Sequence, residues 1–220
     1  NRMSRDIYMA AKGGSTDPNS NTALRSAIDK AKKAQVPSHV IENAIKKAAG
    51  GNGAALISST YEGYGPGNSA IIVETLSDNV NRAVTEVRSA FTKCGGTLGT
   101  NGCVSYMFAK KAIVEFYGKT ADETLDLLLE AGVDIENATE EDGLVTVEGA
   151  PEALSSIENA LKAAGVTEFE TNEVSLEPSE RVTLDEAAMT KFNRLLSFLD
   201  EAEDVQNVYH NVNMPEEGED

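Results

Sequence analysis

The sequence has no tryptophan, and its 220 residues include only two cysteines and two histidines. Two cysteines are too few for the disulfide framework of a small secreted domain, and they indicate a reducing compartment. The cysteines and histidines show no zinc-ligand spacing, so we expect no metal site. No apolar run approaches the roughly 18 residues that a membrane helix requires, which excludes a membrane-spanning protein.

The overall composition is that of an ordinary globular protein, with 40% hydrophobic and 25% charged residues. A length of 220 residues suggests one large domain or two to three small ones. Because the chain begins at Asn1 and not at methionine, we expect a start or leader segment to precede it.

Charge is distributed unevenly along the chain. Residues 112–220 carry five basic and 28 acidic groups, a net charge of −23, whereas residues 51–111 carry +1. Residues 1–50, here called the basic head, carry nine basic and four acidic groups, a net charge of +5. The nine basic residues are Arg2, Arg5, Lys12, Arg25, Lys30, Lys32, Lys33, Lys46 and Lys47.

This asymmetry predicts that one end of the molecule meets a polyanion. The basic head would attract nucleic acid, whereas the acidic remainder would repel it. We therefore take the nine basic residues as candidate nucleic-acid contacts. The alternative is that they only solvate exposed helix faces, which are commonly rich in lysine.

Apolar residues in the head recur at helical spacing and predict three helices. The first spans residues 2–12, the second carries an apolar face over residues 23–31, and the third begins after Pro37 and stops at Gly50-Gly51. Many of their apolar residues are alanines, which bury little area, so we expect a lightly built helical domain over residues 1–57.

From residue 60 the pattern changes to alternating strands and helices. We expect residues 58–109 and 177–214 to form one small α+β domain. The elements predicted there are a strand at 69–76, a helix capped at Ser77-Asp78, a strand at 104–108, a short strand at 181–184, a helix opened by a Thr183–Glu186 capping box, and an edge strand at 204–212.

Residues 110–176 show a regular βαββαβ order, the ferredoxin-like arrangement. The predicted strands lie at 112–117, 133–138, 144–148 and 168–176, and the helices begin at a Thr120–Glu123 capping box and at Pro151. The predicted fold class is thus α+β: an N-terminal three-helix domain followed by two small α+β domains, with the ferredoxin-like one inserted in the other.

Residues for catalysis are scarce. The glycines at 63, 65 and 67 precede a strand and lack the strand–loop–helix context of a dinucleotide site, and no Walker sequence or nucleophile elbow is present. His39 and His210 lie in separate zones of the chain. We therefore expect no enzymatic activity, no cofactor and no small-molecule substrate.

A glycine-rich loop at residues 95–102, here called the glycine loop, is the second candidate contact. Its backbone could approach a phosphate or base closely, so Lys93, Gly95 and Gly96 join the candidate residues. The alternative is a flexible connection between a helix and a strand. Cys94 and Cys103 flank the loop, and we expect two reduced thiols, with a disulfide switch as the rival hypothesis.

Several motifs, in order along the whole chain, resemble the YebC family. They are NSNTALRSAIDKAKKAQVPSHVIENAIKKAAGG at 19–51, YEGYGPGNSAIIVETLSDNVNR at 61–82, VRSAFTKCGGTLGTNGCVSYMF at 87–108 and VQNVYHNV at 205–212. The resemblance is greatest to the bacterial branch, and the family also includes the mitochondrial translational activator of cytochrome c oxidase. It implies a helical domain followed by two α+β domains, and a basic segment before the first helix.

The resemblance implies a non-enzymatic regulator of gene expression. The favoured hypothesis is a translation factor that docks on ribosomal RNA and helps the ribosome through difficult sequences such as proline runs. The alternatives are a DNA-binding transcriptional regulator and, less favoured, an enzyme or small-molecule sensor. We expect a cytoplasmic protein, or one of the mitochondrial matrix if a leader has been removed, with no membrane partner.

Overall fold

The structure is a computed structural model that describes residues 2–50 and 56–215. Residues 51–55 of the predicted helical domain, including Gly51, lie outside the described residues. The helices of the described part are α1 Arg2–Lys12, α2 Thr22–Lys33, α3 Ser38–Ala48, α4 Val80–Lys93, α5 Ala121–Glu130, α6 Leu154–Ala163 and α7 Glu186–Glu201. Its strands are β1 Ile57–Tyr64, β2 Ala70–Ser77, β3 Thr97–Leu98, β4 Phe108–Phe116, β5 Asn137–Glu141, β6 Leu144–Gly149, β7 Thr171–Pro178 and β8 Val205–His210.

The chain forms two compact units. The first comprises Asn1–Val104 with Val182–Asp220, and the second comprises Ser105–Arg181. The mixed α+β class, with helices first and sheets after them, is confirmed. The further division of the first unit at residue 57 stays a prediction.

The three helices at the start of the first unit are held by a small core. Ile7, Leu24, Ile28 and Ile41 supply the larger buried side chains, and buried alanines let the helices approach closely. The side chain of Asn21 caps α2 by accepting a hydrogen bond from the Leu24 N–H at 3.0 Å. The three predicted helices are therefore confirmed.

The first unit also contains a four-stranded antiparallel sheet in the order β3-β1-β2-β8. The central strand β2 is almost wholly buried, which explains its continuous apolar run. Helices α4 and α7 pack on this sheet through side chains such as Phe91, Phe192 and Leu195. The predicted edge strand is confirmed as β8.

The second unit is the ferredoxin-like sheet, with antiparallel strands in the order β5-β6-β4-β7 and helices α5 and α6. The predicted capping box is present: Thr120 Oγ1 accepts from the Glu123 N–H at 3.1 Å, and Glu123 accepts from the Thr120 N–H at 2.9 Å. The core lies between the helices and one sheet face, around Phe116, Leu128 and Leu161.

Three strand predictions were wrong. The strand expected at 133–138 is β5 at Asn137–Glu141, so it begins four residues later than predicted. Residues 105–107 form a 3₁₀ turn, and the strand begins only at Phe108. The predicted strand at 181–184 is reduced to a single bridge between Val182 and Val212. The sequence analysis also missed β1, because its polar residues hide the alternation and the strand is defined by pairing with β2 along its whole length.

The capping prediction for α7 was also wrong. Asp185 caps this helix by accepting from the Ala188 N–H at 2.8 Å, whereas the Thr183 hydroxyl accepts from Asn213 at 3.0 Å. For α4 the cap is Asn79, which accepts from the Arg82 N–H at 3.0 Å. Across residues 2–50 and 56–215, no helix is long and apolar enough to cross a bilayer.

Candidate nucleic-acid interface

Five lysines of the basic head lie at the ends of two helices. Lys30, Lys32 and Lys33 occupy the last turn of α2, and Lys46 and Lys47 occupy the last turn of α3. Cations are favourable there because unpaired carbonyl groups give a helix C-terminus partial negative charge. All five are exposed, and none forms an ion pair with any residue in the described ranges. Their charge is therefore available to a polyanion.

The three lysines of α2 point in two directions. Lys30 and Lys33 are one turn apart and share a face, whereas Lys32 lies on the flank that carries Arg25. Burial raises the pKa of Asp6, and the charges of Arg2 and Lys30 oppose that rise, which places Lys30 on the side facing α1.

The flank of α2 that carries Arg25 and Lys32 lines a groove between α2 and α3. Arg25 and Lys32 line it together with the acidic Asp29 and Glu42, and its volume is about 440 Å³. The groove therefore has mixed charge and is not a continuous basic channel.

Two arginines of the head are exposed and already bonded within the chain. Arg25 donates from Nε to the carbonyl of Pro18 at 3.2 Å and from Nη2 to that of Asn19 at 3.0 Å, which fastens the loop before α2. Arg2 donates to the carbonyl of Gln206 and, at 3.3 Å, to Oδ1 of Asn207 on β8. Lys12 is exposed at the end of α1.

Arg5 differs from the other cations of the head because its side chain is only 9% exposed. Its Nη2 lies 3.1 Å from Oδ1 of Asp204, whose side chain is 2% exposed. Arg82 donates to both oxygens of Asp204, from Nε at 3.0 Å and from Nη2 at 2.9 Å, and its Nη2 also reaches Asp78 at 2.8 Å. Arg5 thus joins α1 to the sheet part of the first unit, and we remove it from the candidate contacts.

The exposed side of α3 faces a second cleft, of about 390 Å³. His39, Asn43 and Lys47 line it at intervals of four residues, which places them on one helix face. Asp78 and Asp204 also line it, together with their partners Arg5 and Arg82. This cleft is electrically mixed as well.

The glycine loop is held against β1. The buried carboxylate of Glu62 accepts from the N–H of Gly102 at 2.6 Å and from that of Val104 at 3.2 Å. A Cβ on Gly96 would lie 2.6 Å from the carbonyl oxygen of Tyr64, so this glycine is required by contact with its own chain. Gly95 has φ of +76° and open space around its Cα. Close approach of Gly96 to a ligand, as predicted from the sequence, is therefore corrected to close approach to β1.

Both cysteines are free thiols in the described chain. Burial raises the pKa of Cys94, against the opposing charges of Arg194 and Lys93. Burial and the negative charge of Glu62 raise the pKa of Cys103. A raised pKa lowers the fraction of reactive thiolate, which disfavours a redox switch at this loop.

Lys93 belongs to a group that the sequence analysis missed. Its Nζ lies 5.3 Å from the ring centroid of Phe198, and Cζ of Arg194 lies 5.3 Å from the same centroid. Such cation–π contacts contribute about 0.5–1 kcal/mol each at exposed sites. Arg194 and Phe198 are four residues apart on α7, a spacing that could have indicated the pair, but their contact with α4 is visible only in the fold.

The open face of the second unit's sheet is acidic. Cross-strand register places Glu148 and Glu173 on either side of Ile113, and Glu115 on the same face two residues along β4. The pKa of Lys111 is raised, chiefly by its hydrogen bond to Glu136 and further by Glu148 and Glu177. Within the described residues no group of His, Cys, Asp and Glu could hold a metal ion. This face would repel a phosphate backbone.

Comparison with known proteins covers both parts of the chain. Residues 1–51 match the family model described as the TACO1/YebC protein N-terminal domain, and residues 56–212 match the model of the TACO1/YebC second and third domain. The chain belongs to the TACO1/YebC family. The crystal structure of a conserved hypothetical protein from Aquifex aeolicus is similar, with a TM-score of 0.82 and 38% identity, and the match covers 98% of this chain and 89% of that one.

Membership confirms the resemblance seen in the sequence motifs and the fold class expected from it. The TACO1/YebC family is described as regulatory and is associated by name with transcriptional regulation. The chain therefore belongs to a family of regulators, and the question that follows is which molecule the basic head binds.

Proposed function

We propose that this TACO1/YebC protein is a non-enzymatic, nucleic-acid-binding translation factor that contacts ribosomal RNA through its basic head. In this role it would help the ribosome through difficult sequences such as proline runs. Its place of action would be the cytoplasm, or the mitochondrial matrix if a leader is removed. The proposal requires no cofactor and no membrane partner.

The observation that carries the proposal is the set of exposed lysines at the ends of α2 and α3, none of which forms an ion pair with a residue in the described ranges. Lysines that contact phosphates release condensed counterions, which favours binding and makes it salt-dependent. The remainder of the molecule is acidic, so this end is the part suited to a phosphate backbone.

The charge of the second unit's sheet also favours RNA recognition by the basic head, because the open face of that sheet is not suited to RNA. RNA-binding domains of the same βαββαβ order stack bases on aromatic side chains of their open sheet face. Here that face carries Glu115, Glu148 and Glu173. A structured RNA can be met by shape and phosphate contacts at one end of a protein, which suits a short basic head.

A DNA-binding transcriptional regulator is the second candidate. Helices α2 and α3 are joined by only four residues, 34–37, as in helix-turn-helix proteins, and α3 exposes Asn43, a residue type that can read adenine in the major groove. The other exposed polar residues of α3 include no arginine or glutamine; they are Ser38, His39, Glu42, Lys46 and Lys47. This set is sparse for reading a duplex sequence, and we place RNA first.

The test replaces Lys30, Lys32 and Lys33 with Gln and compares binding to purified ribosomes, by sedimentation through sucrose, with binding to duplex DNA. If each lysine contacts one phosphate, counterion release at about 0.1 M salt makes each loss about fivefold, or about 100-fold together. The matched control is Lys110, Lys119 and Lys162 to Gln in the second unit. Ribosome binding equal in both triple variants would refute the proposed interface, and binding to DNA alone would favour the second candidate.

A further inference from the structure

We infer that Lys93 and Arg194, held over the ring of Phe198, form a second phosphate-binding point that receives the nucleic-acid backbone on the α4–α7 side of the first unit. This inference rests on the proposed function, because its ligand is the same polyanion. It adds Arg194 and Phe198 to the interface.

The ring gives the two cations a fixed position. Phe198 is half-buried and packs against the core of the first unit, so it is a rigid anchor and not a free surface side chain. Lys93 Nζ and Arg194 Cζ each lie 5.3 Å from its centroid. Their charged groups are therefore no more than about 11 Å apart, a span that phosphates of one strand can bridge.

The charges of this pair are not neutralised within the described chain. Lys93 and Arg194 are both exposed, and neither forms an ion pair with a residue in the described ranges. In contrast, Arg82 on the same helix α4 is bonded to Asp78 and Asp204. Two exposed cations without acidic partners, in a chain of net charge −17, are suited to an external anion.

Stabilisation of its own helix explains the presence of a cation at Lys93 but not at Arg194. Lys93 ends α4, where the helix dipole favours positive charge. Arg194 lies in the middle of α7, and the exposed Lys191 stands one turn before it, a like-charge spacing that disfavours the helix. A bound phosphate would offset that repulsion.

This site places a phosphate contact beside the glycine loop and not on the loop backbone. Gly95 follows Lys93 by two residues and is exposed, whereas Gly96 is pressed against β1. The nucleic acid would therefore meet side-chain cations beside the loop, and the loop backbone would not have to approach it closely.

The experiment measures binding of the full chain to a labelled, unstructured RNA 20-mer and to DNA of the same sequence, by fluorescence anisotropy over a salt series. For K93Q/R194Q we expect binding about 25-fold weaker at ~0.1 M salt, and a slope of log K against log salt smaller by about 1.4, from two lost contacts to a single strand. The charge-matched control is R88Q/K110Q, with both residues exposed. F198L keeps both charges and removes the ring, and we expect binding about threefold weaker.

The outcomes separate this inference from the proposed function. No binding of the unaltered chain to either 20-mer would overturn the second site, whereas the proposed function is overturned only by the ribosome sedimentation described above. If the variant at Lys30, Lys32 and Lys33 binds more weakly while K93Q/R194Q binds as tightly as R88Q/K110Q, only the second site is overturned. Losses equal on RNA and DNA would assign the shared phosphodiester as the ligand, and a loss on RNA alone would assign RNA; both would support the site.

Discussion

Replacing Asp204 with Asn tests how the three-helix part of the first unit is joined to its sheet. Asn is nearly isosteric with Asp, so the substitution removes the charge with little change in shape. Asp204 is 2% exposed and Arg5 is 9% exposed, so Arg5 would be left with a buried charge lacking its partner. Arg82 is 41% exposed and can recover its hydration.

Removing one partner of a buried ion pair lowers the free energy of unfolding by about 3–5 kcal/mol. Because Arg82 is partly exposed, we expect the loss for D204N at the lower end, about 3 kcal/mol. Two comparisons sharpen the test. R5Q leaves Asp204 bonded to Arg82 through both oxygens and should cost about 1.5 kcal/mol for one charged hydrogen bond. D78N removes an acid that is 43% exposed and should cost at most about 1 kcal/mol.

The assay is thermal unfolding followed by circular dichroism, at low and at high salt. A loss of ~3 kcal/mol corresponds to a Tm lower by about 6–12 °C for a chain of this size. Because the Arg5–Asp204 pair is buried, the difference should persist at high salt. A Tm for D204N no lower than that for D78N would refute the reasoning that Arg5 is locked in place by Asp204.

The remaining predictions concern acid stability, the glycine loop and a helix cap. Burial alone would raise the pKa of Asp204, but hydrogen bonds from Arg82 and Ser77 and the charges of Arg82 and Arg5 lower it overall. Its contribution to stability should therefore be complete above about pH 4 and be lost as pH falls through the folded-state pKa, and D204N should flatten that part of an unfolding-against-pH curve. G96A should destabilise the first unit by about 1–3 kcal/mol in urea unfolding, because its Cβ would meet the Tyr64 carbonyl at 2.6 Å; unchanged stability would contradict this account of the loop. T120A should cost the second unit about 1 kcal/mol in the same measurement by removing the α5 cap, with the exposed S155A as its control.

Local patterns in the sequence were sufficient for the helices and for the order of elements in the ferredoxin-like unit, although β5 lies at Asn137–Glu141 and not at 133–138. Leu24, Ile28 and Ala31 recur at helical spacing and are buried, and the Thr120–Glu123 box appears in the structure as the sequence predicts. These features depend on residues close together in the chain, where spacing alone determines which side chains share a face.

Features that depend on distant residues could not be predicted in this way. Strand β1 has few apolar residues and is defined by pairing with β2, while the need for glycine at position 96 comes from the carbonyl of Tyr64, some thirty residues earlier. Phe198 meets Lys93 across about one hundred residues of sequence. In each case the missing information is a tertiary contact, which propensity and periodicity do not encode.

Tertiary contacts that the sequence does not reveal also change the charge that the basic head can offer to a ligand. Sequence counting gives the head a net charge of +5, with Arg5 among nine equivalent cations. The structure pairs Arg5 with Asp204, which belongs to the acidic zone at 112–220, so the charge that the head can offer a polyanion falls to +4. One charge from each zone thus joins the helices to the sheet, and the lysines at the ends of α2 and α3 keep their charge for a ligand. A substitution at Arg5 should therefore change stability first, whereas substitutions at those lysines should change binding first and stability only by the helix-dipole contribution, at most about 1 kcal/mol each.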